Sequence, residues 1–317
     1  MDMSHQTRHM PLSCDETQPT RLSAEISTGE LPIELFITDE HQNNYLSLQT
    51  GTETNHGLIT GILSLGSLFF FVMAIWMAFD REWEGVKLML TLAPLAFIIP
   101  FFWETRQKLP LPIIFNRRTR EVYFEHHGKI YHTPWDDIQA IAYEFNMTGL
   151  YTGGTHHASM EIRVHHLGEP KKTLMLSVGT PFGKTLKMQK GFWEYIRAYM
   201  NNGPWFDKEG RHCESDDFVK SQLAAHLKAS DILRHHIRNM TKKRQAASGK
   251  NYLSGLDVLS LLVHIAYHPA HRIQDLTYNI TKRRSRNRWP EIVLERLRPD
   301  GPTTRLIDLE RERGLEV

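Results

Sequence analysis

The sequence predicts an α+β membrane protein: a transmembrane helical hairpin, an antiparallel β domain closed by a helix, and a helical tail. Three observations carry this. Residues 58–79 run for 22 positions without a charge, apolar residues alternate at period two between 113 and 178, and from residue 188 the spacing changes to four and three. The 317 residues hold 38 Lys+Arg against 36 Asp+Glu, are 41% hydrophobic and 23% charged, and include two cysteines. That composition excludes collagen-like and wholly disordered chains, and Cys14 and Cys213 are too few for a disulfide scaffold or a four-cysteine zinc module.

Residues 1–56 form an acidic segment, in which Arg8 and Arg21 stand against nine acids. Its opening, MDMSHQTRHMPLSCDETQPT, lacks the basic start and apolar run of a secretory signal, so the first span is itself the insertion signal. Within it Leu31–Ile37 reads as a strand that adds to the later sheet.

The hairpin occupies residues 57–103. Leu58–Phe79 is long enough for a hydrocarbon core of about 30 Å at about 1.5 Å per residue. Val86–Trp103 is the second span, with Lys87 placed to snorkel and prolines 94 and 100 of the kind membrane helices tolerate. A buried hairpin in a soluble core has similar hydropathy, but the short loop Asp80–Gly85 and the interfacial positions of Trp83 and Trp103 favour spans. Arg106, Lys108, Arg117, Arg118 and Arg120 follow directly, so the positive-inside rule puts both termini in the cytoplasm.

Residues 104–205 read as the β domain. Ile113–Phe115, Glu121–Glu125 and Ile130–His132 form a meander, and Pro134-Trp135-Asp136-Asp137-Ile138 enters a strand with Ile141, Tyr143 and Phe145 on one face. Met160, Ile162 and Val164 alternate next, then Leu174, Leu176 and Val178. Phe192, Ile196 and Tyr199 mark a helix over 188–201 that Asn202-Gly203-Pro204 stops.

Residues 206–317 are basic and helical. One long helix is expected over 215–246, and a shorter apolar helix from Tyr252, buried or interfacial, ending at His268-Pro269. A third span there would carry the basic run from Lys282 to Arg288 to the opposite side, which positive-inside statistics disfavour. Lys282, Arg283, Arg284, Arg286 and Arg288, beside Trp289, are the candidate lipid-binding residues, each cation contributing about 1 kcal/mol near an anionic surface. No nucleic-acid motif surrounds them.

These residues carry a resemblance. Several strands, a Pro-Trp-Asp-Asp-Ile entry and a closing helix over 104–202 resemble the pleckstrin-homology-like domain that many bacterial two-span membrane proteins place after their second helix. The order of acidic segment, hairpin, LPIIFNRRTREVYF at 111–124, Trp-Asp-Asp-Ile, and a C-terminal Arg-Trp-Pro-Glu-Ile is similar to a proteobacterial family of such proteins, often met near type VI secretion effector genes. The resemblance implies an inner-membrane location and an immunity or accessory role against a secreted toxin, with Trp135, Asp136 and Asp137 as candidate partner-binding residues.

Chemistry is less legible. The pairs His126-His127, His156-His157, His165-His166 and His235-His236 are poor metal clusters, because strand neighbours face opposite ways; they read as surface histidines. Across strands, His165 with Glu161 or His157 is the candidate convergence. His264, His268 and His271 have helical spacing, but Pro269 is expected to interrupt them. No phosphate loop, dinucleotide fingerprint or nucleophile elbow occurs, so the reading is binding without catalysis or cofactor.

Overall fold

The computed structural model describes residues 19–50, 56–149, 153–181, 183–224, 231–247, 254–285 and 288–316. In chain order the elements are β1 (Thr20–Leu22), β2 (Thr38–His41), β3 (Tyr45–Leu48), α1 (Leu58–Phe79), α2 (Trp83–Arg106), β4 (Ile113–Asn116), β5 (Glu121–His126), β6 (Lys129–Pro134), β7 (Ala140–Gly149), β8 (Gly153–His166) and β9 (Glu169–Ser177). The helices α3 (Leu186–Asn202), α4 (Asp217–Ala224), α5 (Ile232–Ala246), α6 (Gly255–Arg284), α7 (Glu291–Leu297) and α8 (Leu306–Glu312) follow. They divide into a sheet unit, drawn from within 1–48, 113–219 and 292–317, and a helical unit, drawn from within 49–112 and 220–291.

The sheet unit is one curled antiparallel sheet in the order β1-β7-β8-β6-β5-β4-β3-β2, with β9 on β8. Strand β8 makes the bend. It pairs β7 from Gly153 to Ile162 and β6 at His165 and His166, while β9 takes its other edge. The Tyr123 and Val122 side chains on opposite faces of β5 are both fully buried, so both faces of the sheet are covered there. Helix α3 packs on β7 and β8, and α8 on β6. Thr185 caps α3 by accepting from the Met188 amide (3.3 Å), and Gly203, at φ 110°, ends it.

The N-terminal segment joins this sheet, but not through residues 31–37. Pro32 has no amide hydrogen, and the Glu34 carboxylate accepts from the amides of Phe36, Ile37 and Thr38 at 2.5, 2.8 and 2.9 Å. The Ile33 amide donates to the Gly191 carbonyl of α3 at 3.1 Å, so with Phe36 and Ile37 held by Glu34 these amides are not given to a neighbouring strand. The pairing comes from β1 on β7 and from β3 on β4, where Leu48 lies opposite Ile113.

In the helical unit, α1 and α2 pair as a hairpin and α6 packs on both. The two helices are long and apolar enough to cross a membrane, and only 22% and 17% of their most apolar windows are buried. The expected long helix over 215–246 is two helices, α4 and α5, with residues 225–230 between them outside the described residues. The expectation that Pro269 ends a helix is also corrected, since α6 runs through it for 30 residues. A helix-interior proline costs about 3 kcal/mol through its missing hydrogen bond, and α6 carries it in a stretch that packs closely on α1. A Cβ at Gly61 would stand 2.7 Å from the Ala270 carbonyl oxygen, so glycine is what lets the two backbones meet.

Candidate functional site

The first candidate site is the basic end of the helical unit. Helix α6 begins with a capping box, Ser254 with Asp257, and Lys243 pairs with Asp257 at 2.7 Å. It ends in Lys282, Arg283 and Arg284, all exposed, where cations suit the negative end of the helix dipole. That end is fixed by buried polar contacts. His56 Nε2 lies 2.9 Å from Thr281 Oγ1, and Ser285 Oγ donates to the Leu109 carbonyl at 3.5 Å. Glu104, 3% exposed on the last turn of α2, accepts from the Gly57 amide (3.2 Å), the Thr60 amide (2.9 Å) and Thr60 Oγ1 (2.5 Å). A carboxylate thereby caps the start of α1. Arg106 and Lys108, both exposed, stand at the same end as Lys282–Arg284, and Lys282 Nζ lies 5.9 Å from the Tyr278 ring centre.

Arg288 is exposed as well, and Arg286 lies outside the described residues. Trp289 is a correction: it is 8% exposed, so its indole packs inside the protein and offers lipid no face.

Trp135 is a second correction. Strand β6 ends at Pro134, the Trp135 amide donates to the Arg120 carbonyl at 2.8 Å, and the indole turns into the core. It is fully buried, 5.2 Å from the Trp193 ring and 6.2 Å from Phe115, with Nε1 donating to Asn201 Oδ1 at 2.8 Å. The Trp-Asp-Asp corner therefore offers a partner only its carboxylates. Both are exposed, and Asp136 Oδ1 accepts from Arg120 Nε at 2.8 Å and Nη2 at 2.5 Å.

The second candidate site is a buried cluster in the sheet unit. His132 of β6 and His165 of β8 are cross-strand partners with ring centres 4.2 Å apart. Glu310 of α8 reaches between them, its Oε2 lying 3.2 Å from His132 Nε2 and 2.9 Å from His165 Nε2, while Oε1 accepts from the Gly168 amide at 2.5 Å. Glu121 of β5 backs His132, its Oε1 3.5 Å from Nδ1, and is itself held by the amides of Leu306 and Ile307 and by the Tyr123 hydroxyl. Burial pushes His132 down, but the two flanking carboxylates override it and raise its pKa. Burial and the neighbouring His132 lower that of His165. Burial also pushes Glu310 up, yet His132, the Gly168 amide and His165 together hold it down to about 2.

The convergence weighed from sequence is not the one that forms. Glu161 takes the Tyr143 hydroxyl at 2.8 Å, and His157 accepts from the Gly183 amide at 3.0 Å. His264 meets His236 of α5, with ring centres 4.9 Å apart. His132 and Glu310 were missed. Their signal is non-local, since Glu310 lies 145 residues from His165 in sequence. No protein-family model, curated protein or solved structure matches this chain.

Proposed function

We propose that the chain is a bilayer-anchored binding protein of the bacterial inner membrane, whose basic helix end engages anionic lipid headgroups. The observation that carries this is the gathering of Arg106, Lys108, Lys282, Arg283 and Arg284 at one end of three packed helices whose apolar side chains are largely unburied. The core helix of a soluble protein is mostly buried; α1 and α2 are not. The pairing of Leu48 with Ile113 supports an even number of crossings, because the chain leaves β3 and enters β4 at the same end of these paired strands on either side of the hairpin. Strands closed by α3 support the pleckstrin-like reading of the sheet unit.

The test is lipid enrichment around the full-length protein in nanodiscs of mixed phosphatidylglycerol and phosphatidylcholine, read by energy transfer to labelled lipid. Wild type is expected to enrich phosphatidylglycerol, and Arg283→Glu with Arg284→Glu and Arg288→Glu to lower that enrichment by about tenfold or more, at about 1 kcal/mol per cation. Equal enrichment in both would overturn the proposal. The immunity role follows from the resemblance alone, and its surface is the exposed pair Asp136 and Asp137. A crosslinking pull-down from native membranes is expected, on that reading, to recover a secreted effector near one-to-one. Recovery of lipid and the bait alone would remove it.

A further inference from the structure

We propose that His132, His165 and Glu310 form a binding site for a divalent transition-metal ion of the zinc type. Two imidazole nitrogens and one carboxylate are a donor set that such ions take, and the three donor atoms lie within 4.8 Å of one another. Ligands about 2.0–2.1 Å from a tetrahedral ion stand about 3.3 Å apart, and the two Nε2 atoms lie 3.2 and 2.9 Å from the same Glu310 oxygen. To admit the ion the Glu310 oxygen must draw back slightly from both imidazoles, and the donor pair that now sets the 4.8 Å limit must close.

His132 supplies the second observation. It is wholly buried, and neither ring nitrogen makes a well-directed hydrogen bond, although carboxylate oxygens stand close to both. Buried polar atoms left in that state cost free energy, and native structures keep few of them. Metal on Nε2, with Nδ1–H donating to Glu121, satisfies both. A carboxylate behind a ligating imidazole is the usual arrangement for fixing its tautomer, and Glu121 is pinned for that task by two amides and a hydroxyl. Glu310 is oriented likewise, because the Gly168 amide holds Oε1 and leaves Oε2 facing the histidines.

A dication also balances the two buried carboxylates. The His165 side chain is 12% exposed, whereas those of His132 and Glu310 are 0% and 1%, so the cluster opens to solvent on the His165 side. Water would supply the fourth ligand from that side. The ion would tie α8 to β6 and β8, three elements distant in sequence.

The experiment uses the full-length protein in detergent, carrying a tag without histidine and stripped with chelator. Zn²⁺ is titrated against a competing chromophoric chelator, and Co²⁺ is added separately for its visible ligand-field bands. Wild type is expected to bind one Zn²⁺ per chain and to show tetrahedral or five-coordinate Co²⁺ absorption. His165→Ala and Glu310→Gln should each weaken Zn²⁺ by at least about a hundredfold, since loss of outer-sphere partners alone costs about 10–100-fold, and should abolish the cobalt bands. His126→Ala with His127→Ala, on an exposed turn, should change neither. Circular dichroism checks folding. Should Glu310→Gln not fold, the partly exposed His165→Ala decides. Absence of stoichiometric binding by wild type, or wild-type affinity in His165→Ala, would overturn the site.

Discussion

Replacing Trp135 with alanine is expected to destabilise the sheet unit by about 3–5 kcal/mol, the range for removing a large buried aromatic. The indole is fully buried against Trp193 and Phe115, so truncation leaves a cavity that neighbours on β4 and α3 cannot both fill. It also strands Asn201, which accepts from the indole and donates to the Ala24 carbonyl at 2.6 Å, joining α3 to the N-terminal segment. Domains are typically stable by about 5–15 kcal/mol, so much of the margin goes. Trp135→Phe keeps most of the volume and should lose chiefly the hydrogen bond, about 1 kcal/mol. Urea unfolding of the full-length protein in detergent, followed by circular dichroism, measures both. A Trp135→Ala protein with an unchanged midpoint would return the residue to the list of surface contacts.

The second large effect is expected at Glu104. Alanine there leaves the Gly57 amide, the Thr60 amide and the Thr60 hydroxyl without their acceptor at the start of α1. Hydrogen bonds to a charged group contribute about 1.5–3 kcal/mol each, and orphaned buried donors carry a desolvation penalty besides. A loss of about 3 kcal/mol or more follows. Glu104→Gln retains an acceptor oxygen and should cost about half. Helix content against the mole fraction of SDS in mixed micelles separates the three proteins. Coincident wild-type and alanine curves would show that the cap contributes nothing.

What was legible in the sequence was local. The uncharged run Leu58–Phe79 is α1 residue for residue, and Val86–Trp103 lies inside α2, which extends three residues further at each end into charged and interfacial positions. Turn residues at 116–120 and 128–129 located β4 to β6, and period-two alternation located β7 to β9, which carry enough apolar residues to show a face. Strands β1, β2 and β3, three or four residues each, are too short to show a period, and β2 is polar. The run that did look like a strand, Leu31–Ile37, has its Phe36 and Ile37 amides taken by Glu34 and its Ile33 amide by the Gly191 carbonyl.

Proline misled in the tail. The rule that it ends a helix is local, and α6 runs through Pro269 in the stretch where Gly61 meets Ala270. The tryptophans misled differently. Trp135 and Trp289 sit among charged neighbours in sequence, which reads as surface, yet both are buried. The metal site was illegible for a topological reason: register pairs His132 with His165, and a seven-residue helix brings Glu310 from far along the chain.

The interleaving of the two units has a consequence for the order of synthesis. The ribosome delivers β3 before either apolar helix and β4 after both, so the ladder from Tyr45–Leu48 to Ile113–Asn116 closes only once residues 49–112 have gone to the other unit. Helix α8 emerges last of the described elements, and with it the amides that hold Glu121 and the carboxylate that reaches His132 and His165. Until then two buried ionisable groups in the middle of the sheet lack their partners. The nascent sheet thus waits, incompletely sealed, for a segment translated roughly 140–185 residues after the strands it completes, so this unit cannot finish folding until α8 has emerged.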